Sequence, residues 1–427
     1  MRQTARSVAL ETIRRVTDEG AYSTIVVPGA LRRSRLDERD RAFATELAFG
    51  TVRRLVPIDW ALDRVASRPV HRMSPGARTV LRLGAYQVLF TDVAPHAAVG
   101  ETVGLAQERE RGFVNAVLRR LATEPPAWPE GAGEAAVAVR TGISAWAVAE
   151  LARLLPAGEE ERCAMALATR APLCIRTNVA VVEPDRFRQA LLDAGHDPRP
   201  AALDPSCFLL DGGDPAGLPG YDQGWFAVQD QASAFVVRAL DVWPGHRVLD
   251  ACAAPGGKTA YAASIASSGL VVGADLHAGR VGLIRRSVDR LRVHPLVLAQ
   301  DATAPALRGS FDRILVDAPC SGLGSARRRP ELLWRNKKEE LSRLARIQVE
   351  IVSRSSDLLA PEGRLVYSVC TFPRAETDAA CDAILRHRHD LSPSAIDGPD
   401  GSTERVRLWP HRHGSDGMFV AAFTKDA

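Results

Sequence analysis

Apolar residues recur at helical spacing along the first 124 positions. Ala9-Ile13-Val16 and Val80-Leu81-Leu83-Gly84-Tyr86-Leu89-Phe90 are the clearest runs, and steps of three and four put each set on one helix face. An all-helical domain is therefore predicted over residues 1–125. The pattern breaks at 123–139 (TEPPAWPEGAGEAAVAV), a Pro-, Gly- and Ala-rich stretch that reads as a linker. A small α+β module follows over 140–225. It has a helix at 140–155, a strand at 171–178 and a helix opening at Pro184, where proline suits the first turn. From 226 to 427 the period changes to short apolar runs, most of them ending in an acid. Val248-Leu249-Asp250, the run to Asp275, the run 296–301 ending in Asp301, and FDRILVD ending in Asp317 are four of these, and 364–369 leads into Cys370-Thr371-Phe372. Such strands separated by helix-compatible segments predict a parallel, doubly wound sheet with its ligand at the carboxyl edge.

The turn after the first of these strands, Asp250-Ala251-Cys252-Ala253-Ala254-Pro255-Gly256-Gly257-Lys258-Thr259, is where a helix N-terminus would meet that ligand. Two phosphate loops fail on spacing. A Walker loop needs glycine where Cys252 stands, and G-x-G-x-x-G is absent. The loop admits a close-lying ligand but lacks the usual pyrophosphate cradle. Any single Asp at a strand end also suits a plain turn or helix cap; the whole set along one edge points to a site.

Charge adds a division between regions. Residues 1–124 hold 20 Arg, no Lys and 14 acids, a surplus of six, whereas the whole chain carries +4. Basic charge gathered in one domain fits phosphate binding, although solvated helix faces account for many such arginines. The segment 327–335 (RRRPELLWR), just after Cys320, reads as a basic path for a substrate strand with an aromatic at its end. The seven cysteines are odd in number and form no C-x-x-C pair, which argues against a disulfide framework or zinc site and for a reducing cytoplasm. Cys163, Cys174, Cys207 and Cys381 are expected to be small buried residues. The start, from Met1 to Arg6, leads into no signal-peptide core, and no apolar stretch is long enough to cross a bilayer.

AAPGGKT (253–259), VDAPCSG (316–322) and the cysteine after the fifth strand together resemble the S-adenosylmethionine-dependent RNA cytosine-5 methyltransferases. LRLGAYQVLF (81–90), HAAVGETVGLA (96–106) and FVNAVLRRLA (113–122) are similar to NusB-type RNA-binding bundles. The combination resembles the bacterial 16S rRNA enzymes of the Sun/Fmu (RsmB) family over nearly the whole chain. This implies a multidomain fold: an all-α NusB-like bundle, a small α+β RNA-binding module, and an α/β Rossmann-like methyltransferase domain. Two residues depart from the family pattern, Gly100 in place of Asn and Val369 in place of Thr.

The chemistry implied by the resemblance is demanding. Carbon 5 of cytosine is a poor nucleophile until another nucleophile adds at carbon 6, and a thiolate suits that addition and its later reversal. The resemblance makes Cys370 that nucleophile, Cys320 the helper in product release, and Asp317 the grip on the cytosine edge, also bordering the cofactor. Cys252, Ala253, Ala254, Pro255, Gly256, Gly257 and Lys258 would wrap the methionine end of S-adenosylmethionine, with Asp275 on the ribose and Asp301 on the adenine side. Asp250 would support the loop and Arg280 would pack on the adenosine, while Arg176 and Asn178 match an R-x-N signature of the RNA-holding module. The implied partner is 16S rRNA, before small-subunit assembly is complete, with cytosine 967 the family target. The implied enzyme is a cytoplasmic monomer without metal, DNA or membrane. A tRNA or other rRNA target, or a non-catalytic antitermination-type RNA-binding factor, remains open on these residues.

Overall fold

The computed structural model describes residues 3–427. Met1 and Arg2, part of the stretch read above for a signal peptide, lie outside the described residues. The chain divides into two compact units, one of residues 1–170 with 326–336, the other of 171–325 with 337–427.

The first unit is helical. Its first seven helices are α1 (Ala5–Thr17), α2 (Ser23–Arg33), α3 (Glu38–Arg53), α4 (Leu55–Val65), α5 (Pro75–Phe90), α6 (Pro95–Val103) and α7 (Glu108–Thr123). α1 opens at a capping box in which Thr4 and Ser7 satisfy each other's backbone, and it buries Val8, Ala9, Thr12, Ile13 and Val16. This is the face that the apolar spacing predicts. Ile13, Leu47, Ile58, Leu62, Leu81 and Leu118 are fully buried in a shared core. Gly100 stands exposed within α6, which continues through it.

The linker and the helix after it differ from expectation. Trp128, within the Pro-rich stretch, stacks on Trp60 at 5.4 Å and lies 5.8 Å from Phe90. The expected helix at 140–155 is two helices, α8 (Glu134–Thr141) and α9 (Ala145–Leu154). Gly142 ends the first of them in the left-handed region (φ +88°), and a Cβ there would stand 2.9 Å from the Arg53 carbonyl oxygen. With α10 (Glu159–Leu167), both pack into the helical unit rather than into a separate module. Among the described residues no single helix is long and apolar enough to cross a membrane. α8 and α9 qualify by length and composition only as a pair, bent by 111°.

In the second unit, β1 (Leu173–Thr177), α11 (Pro184–Asp193), β2 (Arg199–Pro200), β3 (Cys207–Leu210) and β4 (Phe226–Val228) build a small antiparallel sheet in the order β2-β3-β1-β4. Arg176 and Asn178 lie inside the unit, 0% and 1% exposed. Arg176 Nε donates to Gln229 (2.7 Å), and its guanidinium sits 4.1 Å over the Tyr261 ring. Asn178 donates to the carbonyls of Gly224 and Leu291. Both residues therefore brace the small sheet internally, and neither is available to grip RNA from a strand face.

The chain continues through α12 (Gln231–Leu240), β5 (Arg247–Asp250), α13 (Gly257–Ile265), β6 (Leu270–Asp275), α14 (Ala278–Arg290), β7 (Leu296–Ala299) and β8 (Phe311–Asp317). A short helix α15 (Leu332–Arg335) belongs to the helical unit. The second unit resumes with α16 (Leu341–Ser355), β9 (Leu359–Val369), α17 (Asp378–His387) and β10 (Leu391–Ser394). A hairpin of β11 (Ile396–Gly398) and β12 (Gly401–Thr403), then β13 (Arg405–Leu408), α18 (Pro410–His413) and β14 (Met418–Lys425), completes it. The main sheet runs β10-β14-β9-β8-β5-β6-β7, with β13 also on β14. β7, β6, β5, β8 and β9 are parallel and β14 is antiparallel. α12 and α13 cover one face with Val248, Leu315, Val366 and Val420. On the other face Leu249, Val316, Leu365 and Phe419 pack under α16 and α17. The expected doubly wound architecture is present.

Candidate active site

Strand order reverses between β5 and β8: the chain moves from β5 out to β6 and β7, then returns to β8 on the other side and out to β9. At such a point two loops diverge from adjacent carboxyl ends and leave a crevice. β5, β6 and β8 end in Asp250, Asp275 and Asp317.

The loop after β5 is shaped by its own backbone and by β6. Ala251 N donates to Leu315 O (2.9 Å), Ala253 N to Ala274 O (2.8 Å) and Gly256 N to Ala253 O (2.7 Å). Gly256 has φ +104°, and a Cβ there would meet the Ile284 Cα at 3.0 Å, so a side chain is excluded. Asp275 is buried and accepts from the backbone of Ala254 (3.2 Å) and His277 (3.3 Å). Arg280 pairs with Asp275 at 3.3 Å and donates to Ala254 O at 3.0 Å. The arginine read as a surface for adenosine is thus also a brace of the loop. Asp301 lies two residues past the end of β7. It is exposed, and Thr303 donates to it from both backbone and hydroxyl (2.8 and 2.7 Å), holding the carboxyl below its usual range.

Asp250 is 1% exposed and accepts from the Thr259 hydroxyl at 2.7 Å. Burial pushes its carboxyl up to about 7; the Thr259 bond opposes the rise and the nearby Asp317 charge adds to it. Lys258 donates to Asp317 at 2.7 Å, and the Ser368 hydroxyl donates to the other Asp317 oxygen at 2.7 Å. Burial alone would lower the lysine's pKa, but the Asp317 carboxylate outweighs it and the net direction is up. Lys258 therefore stays charged, and the loop and the Pro-Cys segment are joined by an ion pair.

The two cysteines, fifty residues apart, meet because β8 and β9 are neighbours in parallel register, with Asp317 opposite Ser368. Each cysteine stands just beyond its strand end, and the sulfurs are 3.5 Å apart. Both are half-buried, whereas Cys163, Cys174, Cys207 and Cys381 are buried, as expected of structural residues. The hydrogen bond to Cys370, and then burial, push the Cys320 thiol well above its ordinary range. That direction keeps Cys320 a neutral thiol, and either sulfur can act as the donor in the contact between them. Val369 is fully buried in the core at the end of β9.

Cys252 to Lys258, Asp250, Asp275, Asp317, Cys320 and Cys370 thus gather along one edge, with Asp301 on its β7 flank. Three contributors escaped the sequence reading: Ser368, and Gln348 and Glu376, which hold the backbone on either side of Cys320 at Pro319 O and Ser321 N. The first is one of many serines, and the other two act through packing between elements that no local spacing reveals.

The basic segment after Cys320 is a correction. Residues 326–336 belong to the helical unit. Glu331, fully buried, accepts from Ser23 N (3.2 Å) and Ser23 Oγ (2.6 Å). The Trp334 indole donates to Val52 O (2.9 Å), and Arg335 donates to the carbonyls of Val16, Gly20 and Ala21. Leu333 O and Asn336 O receive the Ser144 amide and the Trp146 indole. Arg327 is buried, and Arg328 and Arg329 are half-buried. The segment is an internal strut of the helical unit, not a solvated path for RNA.

Comparisons with known proteins agree with this layout. A family described as 16S rRNA methyltransferase RsmB/F matches residues 237–424, and the NusB family matches residues 3–123. A Mycobacterium tuberculosis protein whose name specifies no more than a methyltransferase is 36% identical over 99% of this chain and 96% of its own length. Ribosomal RNA small subunit methyltransferase B of Salmonella arizonae is 31% identical over 98% of each chain. Among solved structures, PH0851 aligns over 100% of both chains with a TM-score of 0.83 at 21% identity. NSun6 from Pyrococcus horikoshii, solved with SFG, covers 66% of this chain and 98% of its own with a TM-score of 0.60 at 18% identity. At these identities the two structures speak for the fold alone.

Proposed function

The chain belongs to the RsmB/F family of S-adenosylmethionine-dependent RNA methyltransferases, and from that premise we propose that it methylates carbon 5 of a cytosine in 16S rRNA through a covalent bond between Cys370 and the base. The family target, cytosine 967, is the position we assign. The observation that carries the reading is the pair of sulfurs 3.5 Å apart, beside the Lys258–Asp317 pair and at the mouth of the Gly256 loop.

The residues of the crevice fit S-adenosylmethionine better than a dinucleotide. Asp275, Asp301 and Asp317 stand at or just past its strand ends, acids that disfavour a pyrophosphate and favour a sulfonium and an ammonium. In the proposed arrangement the loop from Cys252 to Lys258 holds the methionine end, Asp275 the ribose hydroxyls and Asp301 the adenine side. When bound, the cofactor supplies an electrophilic methyl group.

The chain's own residues do the rest. The Cys370 thiolate adds to carbon 6, and the carbon 5–carbon 6 double bond opens so that carbon 5 becomes nucleophilic. Asp317 grips the cytosine edge, and Lys258 supplies a fixed positive charge as negative charge develops on the ring. Once carbon 5 carries the methyl group, its proton passes to solvent, the C–H electron pair re-forms the carbon 5–carbon 6 double bond, and the carbon–sulfur bond breaks with its pair leaving on the Cys370 sulfur. Cys320, held as a neutral thiol within reach of the departing sulfur, assists that expulsion.

The same reading includes the helical domain as the RNA anchor, a monomeric enzyme and a cytoplasmic substrate not yet fully assembled into the small subunit. Bisulfite sequencing of 16S rRNA treated with the protein and cofactor tests the position. The Cys370→Ala variant should give neither methylation nor an adduct with 5-fluorocytosine RNA. An adduct formed by that variant would remove Cys370 as the nucleophile.

A further inference from the structure

The loops carrying Cys320 and Cys370 leave different strands, and strand pairing ends before either sulfur. A buried polar network continues where the sheet stops. Glu376, 0% exposed, accepts at one carboxylate oxygen from Ser321 N (2.9 Å) and Gln348 Nε2 (3.0 Å), and at the other from Ser321 Oγ (2.5 Å). Ser321 Oγ also lies 2.7 Å from Thr371 Oγ1. The residue after Cys320 is therefore tied both to Glu376 and to the residue after Cys370. Gln348, reaching in from α16, donates to Pro319 O at 2.9 Å, so the residues on both sides of Cys320 are held. The Tyr367 hydroxyl stands 3.0 Å from Gln348 Oε1 and 2.6 Å from Glu376 O. Gly324 N, farther along the same loop, donates to Cys370 O at 3.0 Å.

A carboxyl group this deep is costly to bury, and its pKa is raised by that burial despite the Ser321 and Gln348 bonds. An apolar side chain of similar size would fill the space without that cost. What only an acceptor with two oxygens can do here is receive the Ser321 amide and the Gln348 amide at one oxygen and the Ser321 hydroxyl at the other.

We propose that Glu376 is a positioning residue that sets the separation of the two thiols, acting through Ser321 and Gln348. The inference rests on the reading of Cys370 as nucleophile and Cys320 as the thiol that assists release. Glu376 touches neither sulfur, so its loss leaves the Cys370 thiol chemically intact and displaces Cys320 from it. Addition to the base then proceeds while expulsion slows.

The test uses the full-length protein. In Glu376→Ala the covalent protein–RNA complex should accumulate under denaturing conditions, as in Cys320→Ala, with kcat down tenfold or more and KM for RNA changed much less. Glu376→Gln, whose amide oxygen can still accept from Ser321 N and Gln348, should recover most of the turnover. Ser321→Ala, which keeps the amide link and loses the hydroxyl link, should fall between them and serves if Glu376→Ala does not fold.

A second readout needs no RNA. A mild oxidant should close a Cys320–Cys370 disulfide readily in the wild type and at least several-fold more slowly in Glu376→Ala or Ser321→Ala, as followed by peptide mass mapping. Unchanged closure rates would overturn the proposal whatever the reaction mechanism. Slower closure without any trapped complex in Cys320→Ala would uphold the positioning role and overturn instead the release role of Cys320. A folded Glu376→Ala enzyme that turns over at the wild-type rate also overturns the proposal.

Discussion

The loop of residues 252–258 and the strut of residues 326–336 both lie downstream of a strand that ends in Asp, both carry cationic side chains, and they are fixed in opposite ways. The loop is held mainly by near neighbours: its brackets from Asp275 and Arg280 to Ala254 span 21 and 26 residues, and its longest side-chain tie, Lys258 to Asp317, spans 59. The strut is held by partners such as Trp146, Val52, Ser23, Gly20 and Val16, 190 to 319 residues away. A local unit writes its purpose into local spacing. A segment buried by distant partners does not, and its arginines read as a charge run although Arg335 donates to three carbonyls inside the unit.

The largest effect that separates the two regions is expected from Trp334→Ala. It removes a large side chain from the edge of the helical core together with its bond to Val52, a change that costs about 3–4 kcal/mol in comparable sites. Urea unfolding of the full-length protein should show that loss, while calorimetry finds cofactor affinity within about twofold of wild type. Reduced RNA affinity at unchanged stability would return the strut to the RNA surface and dissolve the contrast.

Asp275→Ala probes the loop side. The carboxylate braces Ala254 and Arg280 and, in the proposed site, accepts from the ribose. Lost bonds to a charged acceptor correspond to about 1.5–3 kcal/mol, roughly ten- to a hundredfold in affinity for S-adenosylmethionine. Arg280→Ala distinguishes the two duties, since it loosens the loop and leaves the ribose acceptor in place. Equal losses in both variants would make Asp275 a loop brace only.

A pH profile sharpens the same region. The Asp250 carboxyl is pushed up to about 7 in the folded protein, chiefly by burial, from 3.8. The native state therefore keeps its proton up to about pH 7 while the unfolded chain loses it near pH 4, and stability falls as pH rises between those values. Asn at this position cannot ionise and can still accept from Thr259. Asp250→Asn should match the wild type near pH 4, gain on it steadily to pH 7, and keep a constant lead above that. The full shift corresponds to roughly 4 kcal/mol, and relaxation around a buried acid brings the expected span to about 2 kcal/mol. A pH-independent difference between the two proteins would mean that Asp250 is ionised throughout.

The same division governs how much of the molecule was legible in its sequence. β6 and β8 lie where apolar runs ending in Asp275 and Asp317 indicate, because a buried parallel strand needs a continuous apolar run and its turn needs a polar end. The closeness of Cys320 and Cys370 followed from strand adjacency, which the order of elements in a doubly wound sheet restricts. Arg176 and Asn178 were misread because much of what makes their burial possible, the Tyr261 ring, Gln229 and the Gly224 and Leu291 carbonyls, comes from other elements. Glu376 was invisible for the same reason: six residues after Cys370 nothing local distinguishes a buried bridge from a solvated acid. Residues 140–167 were assigned to the small module because a Pro-rich stretch looks like a boundary, and Trp128 pins that stretch to the helical core instead.

The smallest expected effect compares two kinds of arginine. Arg32, Arg33 and Arg35 are exposed together at the end of α2, whereas Arg335 is committed to three carbonyls inside the unit. If the helical unit anchors RNA through its charge surplus, exposed arginines release counterions on binding and buried ones do not. Each neutralised phosphate of single-stranded RNA contributes about 0.7 to the slope of log affinity against log salt. Replacing Arg32, Arg33 and Arg35 with Gln should flatten that slope by about 2 and weaken binding several-fold at 0.1 M salt, with cofactor affinity unchanged. Arg335→Gln should leave the slope as it is and appear only in unfolding, at about 1–3 kcal/mol for hydrogen bonds from a charged donor. Point substitutions suit this test better than removal of the first 139 residues, which would cut through the helical unit and strip the strut of Ser23, Val52 and Gly20. An unchanged slope for the triple variant would take α2 out of the RNA contact and move the anchor to another face of the same unit, and a flattened slope for Arg335→Gln would show that the strut opens to RNA after all.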